Sequence, residues 1–266
     1  MASFSVVSNI SAANAQANLN TTNIGLVKAL TRLSSGFRIN MAGDDAAGLA
    51  VANSYRSTQA VINQGIRNAN DGLSTLQIKN GALDNISTLL DRMATLASQS
   101  ASAGFTGDRT KLDDEFQDVI AEIAREANVA GLDTAQGFSV FVSNDGTDGT
   151  VGGTIGAADN TTLGITGLSL TTAGSAATAV AAVQNAVTTL GSVIGTIGSL
   201  QNRLQFAIGL AQYQVVSNKA AESRIRDANI AEESANLTRY NILTQSGIAA
   251  LAQANNVSSA VLSLLR

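Results

Sequence analysis

The chain has 266 residues and a formal net charge of −4, with 45% hydrophobic residues but only 14% charged and 4% aromatic residues. It contains no Cys and no His, which excludes disulfides, thiolate zinc sites, cysteine nucleophiles and histidine-based catalytic triads. The acidic balance argues against a nucleic-acid partner, because proteins that bind nucleic acids usually carry a basic face.

The first predicted element is a long N-terminal helix, and the absence of Pro favours long helices because Pro breaks helix interiors. Residues 1–27 carry no charged side chain, and apolar residues recur at helical spacing. One apolar seam, meaning a row of apolar residues on one helix face, comprises Leu19, Leu26, Leu30, Leu33 and Phe37, and a second comprises Ile10, Ala13, Ala17, Ile24 and Val27. We interpret Asp44 and Asp45 as residues that start the next helix, near the positive end of its dipole.

Two further helices are predicted before residue 137. The apolar seam of the second helix comprises Ile62, Ile66, Ala69, Leu73, Leu76, Leu83 and Leu90. The third helix is short, with Leu112, Phe116, Val119 and Ile123 on its apolar side. Its acidic residues lack the Gly and the ligand spacing of a calcium-binding loop, so we interpret them as a solvated face and predict no metal site.

Residues 137–172 differ in composition from the rest of the chain. They contain eight Gly among short alternating runs of Val, Ile, Thr and Phe, which predicts β-hairpins joined by Asn-Asp-Gly turns. The glycines do not form a phosphate-binding loop, because GxGxxG and a following Lys-Ser or Lys-Thr are both absent. Within this region, residues 143–160 have a composition with little apolar area to bury. We therefore expect them to face solvent and to tolerate deletion.

The last two predicted helices are apolar and poor in charge. The seam of the fourth helix comprises Val180, Val183, Val187, Leu190, Ile194, Ile197, Leu204, Ile208 and Val215. The C-terminal helix has one seam of Leu243, Gly247, Ala250, Ala254, Val257, Val261 and Leu264, beside a second that includes Ile248 and Leu251. Two adjacent seams make a broad apolar arc, which more than one neighbouring helix must cover.

These elements predict a mainly α fold: a long antiparallel helical bundle or coiled coil built from both chain ends, with a small β-hairpin tip. Polar residues interrupt every apolar run in the uncharged segment 160–202, so we expect no membrane insertion. The first 16 residues lack the basic and unbroken apolar regions of a secretory signal peptide.

Several long motifs at both chain ends resemble those of bacterial flagellin. The N-terminal half contains LTRLSSGFRIN (30–40), GDDAAGLAVAN (43–53) and RNANDGLSTLQIKNGALDNI (67–86). The C-terminal half contains SRIRDANIAEE (223–233) and LAQANNVSSAVLSLLR (251–266). The motifs occur in the family's order, and the resemblance covers nearly the whole chain.

The resemblance implies a rod made of an inner-core domain and an α-helical domain. It places an N-terminal inner-core helix at 1–42, the two halves of the rod domain at 43–136 and 173–222, the tip at 137–172 and a C-terminal inner-core helix at 223–266. Many flagellins insert large outer domains between the two halves. Only the tip is available for them here, so the chain resembles a minimal flagellin.

The resemblance also implies a function. A flagellin is a structural subunit that polymerises with its own copies into the extracellular flagellar filament used for swimming, and it needs no catalytic residue, cofactor or metal. The implied partners are an export chaperone, the type III export apparatus, the filament cap and the hook-junction proteins.

The expected polymerisation residues are the seams of the two chain ends: Leu26, Leu30, Leu33, Phe37, Leu243, Ala250, Val257, Val261 and Leu264. Periodicity alone leaves open whether these helices fold on assembly to line a filament core or pack on their own domain. Charge depletion and the resemblance favour assembly, with disordered ends in the monomer. The resemblance further implies that a host Toll-like receptor reads Arg92, Leu96 and Glu115, although Thr95 stands where the family commonly has an acidic residue.

Two other functions are kept as alternatives. A hook–filament junction protein has similar terminal helices, but the motif at 251–266 favours flagellin. A coiled-coil scaffold with no flagellar role would normally carry charged e and g positions, whereas both chain ends are nearly free of charge.

Overall fold

The computed structural model describes the backbone of residues 8–143, 146 and 149–264, and side chains as far as residue 256. The elements are α1 (Ile10–Ser35), α2 (Ala46–Ala101), α3 (Arg109–Val129), β1 (Gln136–Phe141), β2 (Thr150–Ile155), α4 (Ala173–Arg226) and α5 (Ile230–Leu264). The prediction of a mainly α fold with a small β-hairpin is confirmed. Packing divides the chain into two compact units: unit one contains the residues up to Ser57 and from Ser217, and unit two contains Thr58–Val216.

Unit one is built from the two chain ends, with α1 and α5 side by side and antiparallel. At one end, the amide of Asn9 donates to the carbonyl of Ala254; at the other, Arg32 donates to Glu233. Helix α1 stops at Gly36, whose φ of 74° lets its N–H bond the carbonyl of Arg32. The predicted pairing of the terminal helices is therefore confirmed within the subunit.

A short backbone junction joins the ends of these two helices. Phe37 pairs with Asp227 as an antiparallel bridge, and the N–H of Arg38 donates to the carbonyl of Arg226 at 2.6 Å. The Arg226 guanidinium stacks on the Phe37 ring, 4.1 Å from its centroid, which is a favourable cation–π geometry. The chain leaving α1 is thereby held beside the chain that enters α5.

Unit two has one hydrophobic core shared by α2, α3, α4 and the hairpin. Its buried residues recur at helical spacing and include Ile62, Ala69, Leu76, Leu83 and Leu90 of α2, Phe116 and Ile123 of α3, and Val183, Leu190, Ile197 and Leu204 of α4. The predicted seams of α2 and α3 are confirmed, because their remaining members also pack against this core. The α4 seam is wrong at Val187, which is 41% exposed; the buried row passes through Ala186 and Val193. Apolar residues occupy two adjacent rows of α4, and tertiary packing decides which row is covered.

The hairpin is more deeply buried than the sequence predicts. Strands β1 and β2 pair antiparallel, with Val140 opposite Val151. Ile155 is 2% exposed and Ala158 is fully buried, and both belong to the core. The expectation that residues 143–160 have little apolar area to bury is therefore wrong. Alternate residues of a strand point to opposite faces, and this alternation places Ile155 on the core side. Deletion of the segment would uncover part of the core and destabilise unit two.

Helix α2 contains a glycine that the hairpin requires. A Cβ added at Gly65 would lie 1.8 Å from the carbonyl oxygen of Val142, a backbone atom that cannot rotate away. We expect Gly65→Ala to destabilise unit two by about 3 kcal/mol, because overpacking forces the hairpin to shift. In the matched control Gly81→Ala, nothing lies within 4 Å of the added Cβ, so the higher helix propensity of Ala should stabilise by about 1 kcal/mol. Thermal unfolding measures both changes, and equal midpoints would contradict this packing.

By length and composition, α4 is long and apolar enough to cross a membrane, with a mean hydropathy of 1.4 in its most apolar window. It is the one such helix among the described residues. Its apolar face has a role in unit two, since Val183, Leu190 and Ile197 are buried in the core. A helix that is buried in a protein core can also be this long and this apolar, so length and hydropathy do not identify a membrane span. The absence of membrane insertion therefore stays a prediction.

Candidate assembly interface

The predicted seam of α1 divides between a covered side and an exposed side. Leu26, Leu33 and Phe37 are half-buried within unit one. Leu30, which belongs to the same seam, is 55% exposed. A single partner helix therefore covers only part of the predicted polymerisation seam.

The seam of α5 is divided in the same way. Leu243 is 45% exposed, and Ala250 is also exposed. Val257, Val261 and Leu264 lie within α5, but their side chains fall outside the described part of the chain. Whether the seam residues touch a second copy stays a prediction for all of them.

Unit one buries few hydrophobic residues completely and leaves several large ones exposed. Its buried hydrophobic residues, within the described part of the chain, are Ala29, Ile39 and Ala52. Large apolar side chains that are 45–70% exposed in α1 and α5 are Ile10, Ile24, Val27, Leu30, Ile230, Ile242, Leu243 and Ile248. Such a small core gives little stability against chain entropy, and the exposed residues offer additional area to a neighbour. We call this exposed set, on the paired helices α1 and α5, the terminal apolar surface.

The two helices approach closely and leave a groove between them. A Cβ at Gly25 would lie 2.6 Å from the ring of Tyr240, so a larger residue here would require that ring to move. Further along, a groove of about 410 Å³ opens between the helices, with Leu19 and Leu243 among its lining residues. It is of a size to accept apolar side chains from another copy. The sequence does not reveal this groove, because no local pattern encodes the spacing between two distant helices.

An ion pair fixes the register of α1 against α5. Arg32 Nη1 lies 3.0 Å from Glu233 Oε1, and the two side chains are only 23% and 9% exposed. The Nε of Arg32 is buried without a hydrogen-bond partner. Sliding one helix along the other would separate the pair and leave each largely buried charge without its partner, which would be costly. Sequence reasoning missed this pair, since its members are about two hundred positions apart.

The two acidic residues at 44 and 45 have structural roles. Asp45 accepts a hydrogen bond from the N–H of Gly48 at 2.8 Å and caps the start of α2. Asp44 pairs with Lys28 at 2.9 Å. The hydrogen bond from Lys28 lowers the pKa of Asp44 below its ordinary value, and the N–H groups of Asn40 and Met41 act in the same direction. The prediction that Asp45 starts a helix is confirmed, whereas Asp44 instead ties α1 to the loop before α2.

The predicted receptor patch lies in unit two, and the structure exposes two of its three residues. Arg92 on α2 donates through Nε to Glu115 Oε1 on α3 at 2.8 Å, and both side chains are about half exposed. Leu96 is only 1% exposed and belongs to the core. The position expected for an acidic residue holds Thr95, whose hydroxyl donates to the carbonyl of Arg92. The accessible feature of this patch is therefore an ion pair without an apolar anchor.

Within the described part of the chain, no group of three or more acidic side chains lies close enough together to hold a metal ion. The features that the structure does bring together are an uncharged apolar surface, a groove and a register-fixing ion pair. Surfaces that are apolar and poor in charge are typical of the centres of protein interfaces.

Comparison with known proteins identifies the family of this chain. The model of the bacterial flagellin N-terminal helical region matches residues 6–140, and that of the C-terminal helical region matches residues 180–265. A flagellin of Halalkalibacterium halodurans is 37% identical, over 97% of this chain and 98% of its own. Flagellin FlaB1 of Treponema pallidum and the flagellar filament core protein flaB2 of Brachyspira hyodysenteriae are each 33% identical, with the same coverage. The matched regions include both paired terminal helices and most of unit two, and the chain belongs to the bacterial flagellin family.

Proposed function

We propose that this chain is the structural subunit of a bacterial flagellar filament and polymerises with its own copies. The observation that carries the proposal is the terminal apolar surface, which is uncharged over residues 1–27 and 240–265 and exposed in the single chain. Clusters of exposed apolar residues on a protein surface often mark association sites. The family membership identifies the association as a filament.

The proposed assembly is an open helical polymer. Such a polymer needs heterologous contacts, in which one surface of a copy meets a different surface of the next. The paired helices of unit one present exposed apolar rows on both α1 and α5, so one copy can be covered by more than one neighbour. In this proposal the two helices are disordered in the monomer and fold when neighbours cover them.

The proposal includes the route and the partners that family membership implies. The subunit leaves the cell through the type III export apparatus after binding an export chaperone. It is then added beneath the filament cap and connects to the cell through the hook-junction proteins. Its site of action is the extracellular filament, and its role there is mechanical, with no catalytic step.

The alternatives have less support. The relatives reported above are named as flagellins or filament core proteins, and none of their names describes a hook-junction adaptor or a scaffold. A coiled-coil scaffold would also normally carry charged e and g positions, whereas residues 1–27 and 240–265 contain no charged side chain.

Electron microscopy of the purified chain tests the proposed function. Monomer seeded with short filament fragments should grow into long, uniform tubes, because each added copy covers the terminal apolar surface of the last. Short caps or rings that stop growing would support a junction adaptor instead. A chain that stays monomeric at high concentration would overturn the proposal.

We propose that a host Toll-like receptor contacts Arg92 and Glu115 within the receptor patch. The support is their exposure and their mutual hydrogen bond. Because Leu96 is buried and supplies no contact, we expect weak activation in a receptor reporter assay and its loss in Arg92→Ala. The control Lys111→Ala removes a cation that is 79% exposed on α3 and should leave the signal unchanged. An unchanged signal in Arg92→Ala would contradict this assignment.

A further inference from the structure

Helix α4 carries a second exposed apolar face, which lies wholly within unit two. Phe206 is 80% exposed, Leu210 is 61% exposed and Tyr213 is 78% exposed. Their spacing of four and then three residues places them on one side of the helix. The buried residues Leu204 and Ala211 lie on the core side of the same turns. We call Phe206, Leu210 and Tyr213 the α4 apolar face.

The sequence on both sides of this face is depleted of charge. No charged side chain occurs at residues 204–218, and none occurs at residues 160–202. The intervening Arg203 donates to the carbonyl of Gly152 in the hairpin at 2.8 Å. A solvent-facing side of a helix normally carries Lys and Glu, and the centres of protein interfaces are where charge is missing.

The same helix also carries three glycines whose spacing equals that of the α4 apolar face. Gly191, Gly195 and Gly198 have the same spacing of four and then three residues, displaced by 15 positions from the α4 apolar face. Nothing lies within 4 Å of a Cβ added at any of them. Gly weakens a helix interior relative to Ala, and no contact within the described part of the chain offsets that loss at these three positions. Such glycines leave room for large side chains of another chain to approach the backbone.

We propose that the α4 apolar face of one copy packs on the Gly191–Gly198 surface of a neighbouring copy in the filament. This inference rests on the proposed function and names a contact between subunits outside the terminal helices. A displacement of 15 residues corresponds to about 22 Å along the helix and about 60° around it. Parallel copies that are shifted by about 22 Å and turned by roughly 120° about the helix axis therefore place the two triplets face to face. The contact is heterologous, as an open polymer requires.

The size of the face agrees with a contact in a polymer. Three side chains with these exposures offer roughly 400 Å². A stable pairwise complex buries about 800 Å² on each partner. The face alone is therefore too small to hold a free dimer, and it serves where each copy touches several others at once.

The absence of Cys makes a cross-linking test clean, because engineered thiols are the only ones in the chain. Filaments grown from an equal mixture of Leu210→Cys and Gly195→Cys chains should form disulfide-linked dimers on oxidation, and the same mixture kept monomeric should not. The matched control pairs Leu210→Cys with Ile78→Cys, which replaces an apolar residue that is 70% exposed on α2. That mixture should not cross-link. Filaments in which Leu210→Cys links to itself, or fails to link to Gly195→Cys, would overturn the proposed contact.

A charge variant covers the case in which thiol variants assemble poorly. The double variant Phe206→Asp, Tyr213→Asp should raise the subunit concentration needed for filament growth at least tenfold, with no change in the unfolding midpoint of unit two. The matched control Val129→Asp alters a residue that is 75% exposed on α3 and should shift that concentration less than twofold. If the double variant grows like the unmodified chain, the contact is wrong although the filament function stands. If the unmodified chain forms no filament, the proposed function itself fails.

Discussion

Replacement of Leu30 by Asp is expected to abolish filament growth. The side chain is 55% exposed in the subunit and belongs to the terminal apolar surface, so a neighbour that covers it would bury an unpaired carboxylate. Burial of such a charge costs several kcal/mol, and the cost recurs at every subunit of the polymer. Seeded growth followed by light scattering should show no elongation. The unfolding of unit two should be unchanged, because Leu30 lies outside it.

The control for this prediction is Leu30→Met, which keeps an apolar side chain of similar volume. Its filaments should grow at nearly the unmodified rate. Normal growth of the Asp variant would mean that Leu30 faces solvent in the filament, and the terminal apolar surface would then have to be reassigned. The same pair of substitutions at Leu243 tests the α5 side of this surface.

Loss of the ion pair between α1 and α5 is expected to lower the thermal stability of the assembled filament. In Glu233→Gln, the Arg32 guanidinium keeps its charge in a half-buried place and has only a neutral partner. Breaking a buried pair by removing one member costs roughly 3–5 kcal/mol. Filaments of the variant should therefore depolymerise at a lower temperature than those of the unmodified chain, as followed by circular dichroism and sedimentation.

The double variant Arg32→Met, Glu233→Leu separates the pair's net contribution from the penalty of an orphaned charge. Replacement of both charges by apolar residues of similar volume is often neutral or stabilising. Filaments of the double variant should therefore melt near the unmodified temperature. A single variant that melts no lower than the double variant would contradict the role of the ion pair.

The long helices of unit two could be predicted because one physical signal dominates them. Apolar residues recur at helical spacing in α2 and α3, and the burial of these residues forms the core. Examples are Leu76, Leu83, Phe116 and Ile123. The pairing of the chain ends was predictable for the same reason, since both α1 and α5 have uncharged apolar seams. These features depend on patterns within a single segment of sequence.

Features that depend on two distant segments could not be predicted. Leu96 lies in a helix that the sequence identifies, but only the packing of α2 in unit two shows that its side chain is buried in the core. Lys79 is 8% exposed and donates to the carbonyls of Ala130 and Gly131 at the end of α3. Its burial lowers the pKa of its ammonium group despite the opposing effect of Asp133. No local pattern distinguishes it from a solvated lysine.

We expect α1 and α5 to complete their folding only when other copies cover the terminal apolar surface. Amide hydrogen exchange on residues 10–27 and 240–256, compared between monomer and filament, measures this directly. Both segments should exchange fast in the monomer and be strongly protected in the filament, whereas the helices of unit two should be protected in both states. Strong protection of both terminal segments in a monodisperse monomer, unchanged on polymerisation, would contradict it.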